Sequence, residues 1–211
     1  MAAHYIKEIR SVQSEGPYFL GGYSFGGIVA FEMAQQLTAQ NQEVGLLVLF
    51  DTFCAGPGQS DAAEYSPRKV SGSLHRTLSG LLAILRTPVA QTWADLSQRA
   101  KVLRGGISWQ VKYMRQPSAV KKIHTACERA VEHYAPKIYQ GRVMLFRSNL
   151  QPRTPVRDPY EGWNAYAGHG LEVRTIASNH DNILLEPQVR IVAEQLKTCL
   201  ATLQAAEPVV A

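Results

Sequence analysis

The sequence predicts an α/β fold, a mostly parallel sheet of about four strands interrupted by a block of helices. Three observations carry this. Val44-Gly45-Leu46-Leu47-Val48-Leu49-Phe50 is apolar without alternation, as in a strand covered on both faces. The chain before it, and again after Gly141, alternates short apolar runs with helical periodicity. Between these parts, residues 55–136 hold helical patterns and no good strand. The organisation expected is a core of residues 1–54 and 138–211, with residues 55–137 inserted as a helical subdomain.

Residues 2–13 read as a helix, with Tyr5, Ile6, Ile9 and Val12 on one apolar face, broken by Gly16-Pro17. Tyr18-Phe19-Leu20 follows as a short strand that enters Gly21-Gly22-Tyr23-Ser24-Phe25-Gly26-Gly27. From Phe25 to about Gln40, Ile28, Phe31, Ala34 and Leu37 mark a buried helical stripe. With the strand ending at Phe50, this completes a βαβ unit. The insertion opens with turn-rich Ala55-Gly56-Pro57-Gly58-Gln59-Ser60 and carries three apolar stripes. They are Leu74 to Leu85, Trp93 to Leu103, and Val120, Ile123, Cys127, Val131 and Tyr134. After it come a strand from Arg142 to Phe146, a helix over 159–167, a strand from Leu171 to Ile176 and a helix over 187–203. Pro159 and Pro187 stand at first-turn helix positions.

The 211 residues are 45% hydrophobic and 18% charged, a composition that excludes intrinsic disorder and supplies a sizeable core. No apolar run approaches the roughly 18 residues of a membrane span, and the polar, periodic start is unlike a signal peptide. Cys54, Cys127 and Cys199 are odd in number and lack paired spacing, which argues against a disulfide framework or a zinc site and for a reducing, cytoplasmic compartment. The formal net charge of +5 is unevenly spread. Residues 1–66 carry 2 basic and 7 acidic side chains, residues 67–157 carry 17 and 3, and residues 158–211 carry 3 and 7. The basic middle has few interleaved aromatics and no recognisable nucleic-acid motif.

Gly22-Tyr23-Ser24-Phe25-Gly26 is Gly-x-Ser-x-Gly at a strand-to-helix junction. Such an elbow exposes the serine hydroxyl on a strained turn, and glycine at Gly22 and Gly26 lets strand and helix approach closely. The helix N-terminus then faces developing negative charge, and the Phe25 N–H is a candidate oxyanion donor. A Gly-rich phosphate loop is the poorer reading, because no Gly-Lys-Ser/Thr follows. A serine nucleophile needs a base and the base an orienting acid. Of six histidines, His180 follows the last strand and precedes the last helix, at the sheet edge that carries Ser24. His75, His124 and His133 fall in the insertion, His4 on the opening helix and His169 in a turn. Two aspartates compete for the acid. Asp158 precedes Pro159 with Glu161 three residues on, which a helix N-cap explains. Asp51 closes an apolar strand, where an unpaired carboxylate is costly, and is favoured. Either preserves the chain order Ser, Asp, His found in α/β-hydrolases.

Gly16 to Gly27, Leu47-Val48-Leu49-Phe50-Asp51, Asp158-Pro159-Tyr160-Glu161-Gly162-Trp163 and Asn179-His180-Asp181-Asn182-Ile183-Leu184 resemble the type I thioesterase domains of polyketide and nonribosomal peptide synthetases. The resemblance covers the α/β parts well and the insertion loosely. It implies a partial α/β-hydrolase fold with residues 55–137 as the lid. It implies that Ser24 receives an acyl or peptidyl chain from the phosphopantetheine of a carrier protein, with His180 as base and Asp51 as acid. Release to water gives an acid, and release to an internal nucleophile gives a macrocycle. The implied partners are an acyl or peptidyl carrier protein and upstream synthase modules, with no nucleic acid, no membrane, no metal and no tightly bound cofactor. The resembling domains have further strands, and a loop with a second oxyanion N–H, before the nucleophile helix. An N-terminally shortened domain, with an unpaired edge on the elbow strand, is therefore expected. Rival readings are a carboxylesterase or lipase with the same triad, and an inactive remnant that only binds. The basic middle is either a solvated lid face or a docking face for an acidic carrier, with Lys121 and Lys122 as candidates.

Overall fold

A computed structural model describes residues 1–54, 116–149 and 162–206. The chain divides into two compact units, Met1–Gly56 with Ala135–Ala211, and Pro57–Tyr134. Four strands lie in the first unit: β1 (Tyr18–Tyr23), β2 (Val44–Phe50), β3 (Val143–Ser148) and β4 (Leu171–Ile176). They form one parallel sheet in the order β1-β2-β3-β4. Among the described residues the α-helices are α1 (Ala2–Val12), α2 (Phe25–Ala39), α3 (Ser118–Glu132) and α4 (Gln188–Ala206), of which α3 belongs to the second unit.

The unbroken apolar run of β2 is explained by cover on both faces. Leu46 and Val48 join Met144, Phe146, Ile176, Ile183 and Val192 in one buried cluster, closed by Leu196, Leu200 and Leu203 of α4. Strand alternation sends Leu47 and Leu49, both fully buried, to the opposite face, which α2 covers. There Phe31 of α2 packs on the rings of Trp163 and Tyr139, with centroids 4.6 and 5.8 Å away. Trp163 is fully buried and satisfies its indole N–H on the Thr52 carbonyl at 2.8 Å. Each such large apolar side chain contributes about 1.5–3 kcal/mol.

Local departures from the sequence expectation have physical causes. β1 continues through the glycine pair to Tyr23, because Gly21 and Gly22 pair with Val48 and Leu49. β3 runs on to Ser148, whose partner on β4 is Ile176. In place of a helix over 159–167, residues Trp163–Ala165 make one 3-10 turn, led in by left-handed Gly162 at φ 80°. Ala167 then bridges Tyr139, while residues 159–161 lie outside the described residues. α1 packs against α2 and buries Ala2 and Ile6, leaving Tyr5 and Val12 exposed. No residue of α3 is buried, and Val120 and Ile123 of its expected stripe are 41% and 64% exposed. Periodicity establishes that a face is apolar, not that something covers it. The stripes at 74–85 and 93–103 lie outside the described residues.

The junction between β1 and α2 is built by close approach. A Cβ on Gly22 would fall inside contact distance of the Gly26 carbonyl, and one on Gly27 would strike the Thr52 side chain. Among the described residues, a Cβ on Gly26 meets nothing within 4 Å, so the tight packing expected of Gly22 and Gly26 belongs to Gly22 and Gly27. Gly26 lies inside α2 and its φ is negative. Gly22→Ala should therefore destabilise the fold by about 1–3 kcal/mol or more. Gly26→Ala should stabilise it by about 0.5–1 kcal/mol through helix propensity. Urea unfolding midpoints of the two variants check this opposite response.

Candidate active site

The carboxyl ends of the four parallel strands lie along one edge of the sheet. Ser24 follows the last residue of β1, Asp51 follows β2, Ser148 ends β3, and His180 comes four residues after β4. Ser24 turns the chain from strand to helix at φ 53° and ψ −122°, a region that non-glycine residues rarely adopt. Its N–H donates to the Phe50 carbonyl at 3.0 Å, which fastens the turn to β2. Asp51 also has positive φ, at 47°. Among the described residues three non-glycine positions have positive φ, and two of them are Ser24 and Asp51. Backbone strain is thus concentrated at this edge.

His180 Nε2 lies 3.0 Å from Ser24 Oγ, and His180 Nδ1 lies 2.7 Å from Asp51 Oδ2. An ionised carboxylate only accepts, so Nδ1–H donates to Asp51 and neutral Nε2 is left to accept the serine proton. The imidazole side chain is 24% exposed and the Asp51 side chain 2%. Asp51 has two further donors, the Ser148 N–H to Oδ1 at 2.6 Å and the Ser148 hydroxyl to Oδ2 at 2.8 Å. Burial by itself drives the Asp51 carboxyl up, but the hydrogen bonds from His180 and Ser148 and the charge on His180 outweigh it. The net result is a carboxyl held below its ordinary 3.8. Phe25 is the first residue of α2, so its N–H is among those with no acceptor within the helix. Phe25 directly follows Ser24, so this N–H opens the helix end whose dipole favours negative charge.

The structure brings Ser24, Asp51 and His180 into one hydrogen-bonded relay. Asp158 and His75 lie outside the described residues. His4 and His169 are exposed, His124 pairs with Glu128 at 3.4 Å within α3, and the His133 ring meets the Arg129 carbonyl at 2.7 Å. Sequence reasoning missed two residues. Ser148 bonds both carboxylate oxygens of Asp51, and Tyr23 stacks on the His180 ring, with centroids 4.8 Å apart. The one sequence signal for either is position, Tyr23 inside the Gly-x-Ser-x-Gly motif and Ser148 at the end of an apolar strand. The three cysteines are free, and Cys54, three residues after Asp51, is buried with its thiol pushed up to about 12 by desolvation. Among the described residues no group of three or more His, Cys, Asp or Glu is placed to hold a metal, and no helix is long and apolar enough to cross a membrane.

A parallel α/β sheet with a serine, histidine and aspartate relay along its carboxyl edge defines an α/β-hydrolase. The chain belongs to the thioesterase-domain family, whose model matches residues 1–200. It is 54% identical over 198 residues to malpinin synthetase of Mortierella alpina, covering 93% of this chain and 2% of that protein. It is 48% identical over 231 aligned residues to a non-reducing polyketide synthase of Pseudevernia furfuracea, covering 95% and 10%. The chain thus spans a tenth or less of the curated relatives it matches. Among solved structures, the thioesterase domain of NocB, in covalent complex with a fluorophosphonate nocardicin G analog, is similar at 27% identity and TM-score 0.60. That match covers 95% of this chain and 73% of the NocB chain.

Ser148→Ala removes one donor to Asp51 and should cost about 1–3 kcal/mol at neutral pH. Because the folded carboxyl titrates below its unfolded value, the contribution is complete above about pH 4 and lost as pH falls through the folded value. Denaturant unfolding should therefore show wild type and Ser148→Ala well separated at pH 7, with the difference shrinking as pH falls below 3.8.

Proposed function

We propose that this chain is a chain-releasing thioesterase in which Ser24 is the nucleophile, His180 the general base and Asp51 the orienting acid. The relay from Ser24 Oγ through His180 to Asp51, at 3.0 and 2.7 Å, carries the reading. The substrate is an acyl or peptidyl thioester carried on the phosphopantetheine arm of a carrier protein, so no metal or tightly bound cofactor is required. Ser24 Oγ attacks the thioester carbonyl carbon as its proton passes to His180 Nε2. The Phe25 N–H donates to the carbonyl oxygen as it becomes an oxyanion. Collapse breaks the carbon–sulfur bond, and the sulfur leaves as a thiol with the proton from Nε2. Water, or a nucleophile within the acyl chain, then attacks the acyl-Ser24 ester as His180 takes its proton, and collapse breaks the acyl–Oγ bond while Nε2 returns a proton to Ser24. Asp51 holds the imidazole in the tautomer that makes this possible and stabilises the cation formed.

Membership of the family, relatives that are polyketide and nonribosomal peptide synthetases, and the covalent fluorophosphonate on the NocB domain all support this reading. It places the chain in the cytoplasm, where free thiols such as Cys54, Cys127 and Cys199 stay reduced. It assigns residues 55–137 to a lid, and gives the basic segment 67–157 the task of meeting an acidic carrier.

The purified chain should hydrolyse a short acyl thioester faster than the matching oxygen ester, and Ser24→Ala should lower that rate by about 10⁴-fold or more. A strong preference for the oxygen ester would make the protein an esterase. A folded chain that neither turns over thioester nor takes up a fluorophosphonate would make it a binding remnant. Lys121→Glu with Lys122→Glu should slow acyl loading from an acidic carrier protein at low salt, with the difference shrinking above roughly 0.5 M salt. Hydrolysis of a free thioester by the double variant should be unchanged; equal loading by both proteins at low salt would reduce the basic segment to a solvated surface.

A further inference from the structure

We infer that Tyr23 is a positioning residue for His180, clamping the imidazole to the strand that carries Ser24; the inference rests on the catalytic reading above. The need for a clamp follows from the strand order. Ser24 follows β1 and His180 follows β4, the two edge strands of a four-stranded sheet. At about 4.8 Å per strand, β1 and β4 stand roughly 14 Å apart. The loop after Ile176 must therefore reach across the ends of β3 and β2 before its histidine meets the serine.

Tyr23 meets that histidine in two ways. Its ring lies against the imidazole, with centroids 4.8 Å apart and planes 25° from parallel. Its hydroxyl donates to the His180 carbonyl at 2.8 Å. The stack limits rotation of the imidazole, and the hydrogen bond holds the backbone that bears it. Asp51 fixes the ring from a different direction, through Nδ1. The rest of the loop is braced locally, by the Asn182 N–H on the Asn179 side chain at 3.0 Å and by fully buried Ile183. The β1 residue that packs against the buried cluster holding Ile183 is again Tyr23. Tyr23 is placed for the task by its own strand, one residue before Ser24, so any movement of the nucleophile carries the clamp with it. The residue between Gly22 and Ser24 therefore acts as more than a spacer in the motif.

The test compares Tyr23→Phe, which keeps the ring and loses the hydroxyl, with Tyr23→Leu, which loses both. Steady-state hydrolysis of a short acyl thioester separates kcat from KM, and the rate of fluorophosphonate labelling reads the nucleophile directly. Tyr23→Phe should lower kcat about 10-fold and Tyr23→Leu about 100-fold, with KM within about twofold of wild type, as expected for a displaced base. Labelling should slow in the same order. A folded Tyr23→Leu with kcat within about threefold of wild type, or a loss carried by KM alone, overturns the proposal. If Tyr23→Leu does not fold, Tyr23→Phe decides, and unchanged kcat there overturns it. Ser24→Ala separates the two readings. Turnover retained in Ser24→Ala removes the catalytic reading and this one together, whereas an inert Ser24→Ala beside unaffected Tyr23 variants removes only the clamp.

Discussion

A carboxylate with 2% of its side chain exposed has to be met by donors, and His180 and Ser148 supply three to Asp51. The Ser148 N–H and hydroxyl approach from the end of β3, and His180 Nδ1 from the loop after β4. The Asp51 backbone N–H also donates to the Phe146 carbonyl of β3 at 2.6 Å. One residue thus ties β2 to β3 and holds the base in place. Removing any donor leaves buried negative charge undercompensated, which is far more costly than losing a surface pair. The direction of the Asp51 shift records that balance, since hydrogen bonding and the His180 charge overcome desolvation.

The remaining architecture serves to bring strand ends to this carboxylate. Parallel strands with both faces covered place their carboxyl ends on one edge, and those ends with the turns and loops after them supply Ser24, Asp51, Ser148 and His180. Two of the three described non-glycine residues with positive φ lie there, held by close packing of Gly22 on Gly26 and of Gly27 on Thr52. Thr52 is completely buried, and its carbonyl accepts from the Trp163 indole, so the strained turn rests on a buried, hydrogen-bonded part of the core. Such strain persists only where the surroundings over-determine it.

The sequence made the three relay residues legible because each breaks a local pattern. A serine between glycines at the end of an apolar strand, an aspartate closing a run of buried residues, and a histidine between the last strand and the last helix all lack simpler explanations. Ser148 has one, since a serine at a strand end is ordinary turn chemistry. Its role depends on β3 lying beside β2, which pairing decides and local sequence does not. Tyr23 occupies a variable position of its motif, and its contact spans 157 residues of chain. The same limit applies to Gly27, whose crowding comes from Thr52 rather than from its sequence neighbours. Element ends moved for similar reasons. β3 reaches Ser148 because β4 supplies a partner there, and the exposed apolar residues of α1 and α3 show periodicity without cover.

Burial keeps the Cys54 thiol, close in sequence to Asp51, out of nucleophilic chemistry. Thiolates exchange readily with thioesters, so under the proposed function an accessible, ionised cysteine would compete with the serine for the acyl group. Cys54 follows Asp51 by three residues, yet it is 1% exposed and its thiol stays protonated up to about 12. The sulfur is thereby withheld from exchange both by access and by protonation. Under the proposed function, acyl transfer is therefore left to the Ser24 hydroxyl, and a departing thiol meets no competing thiolate from Cys54.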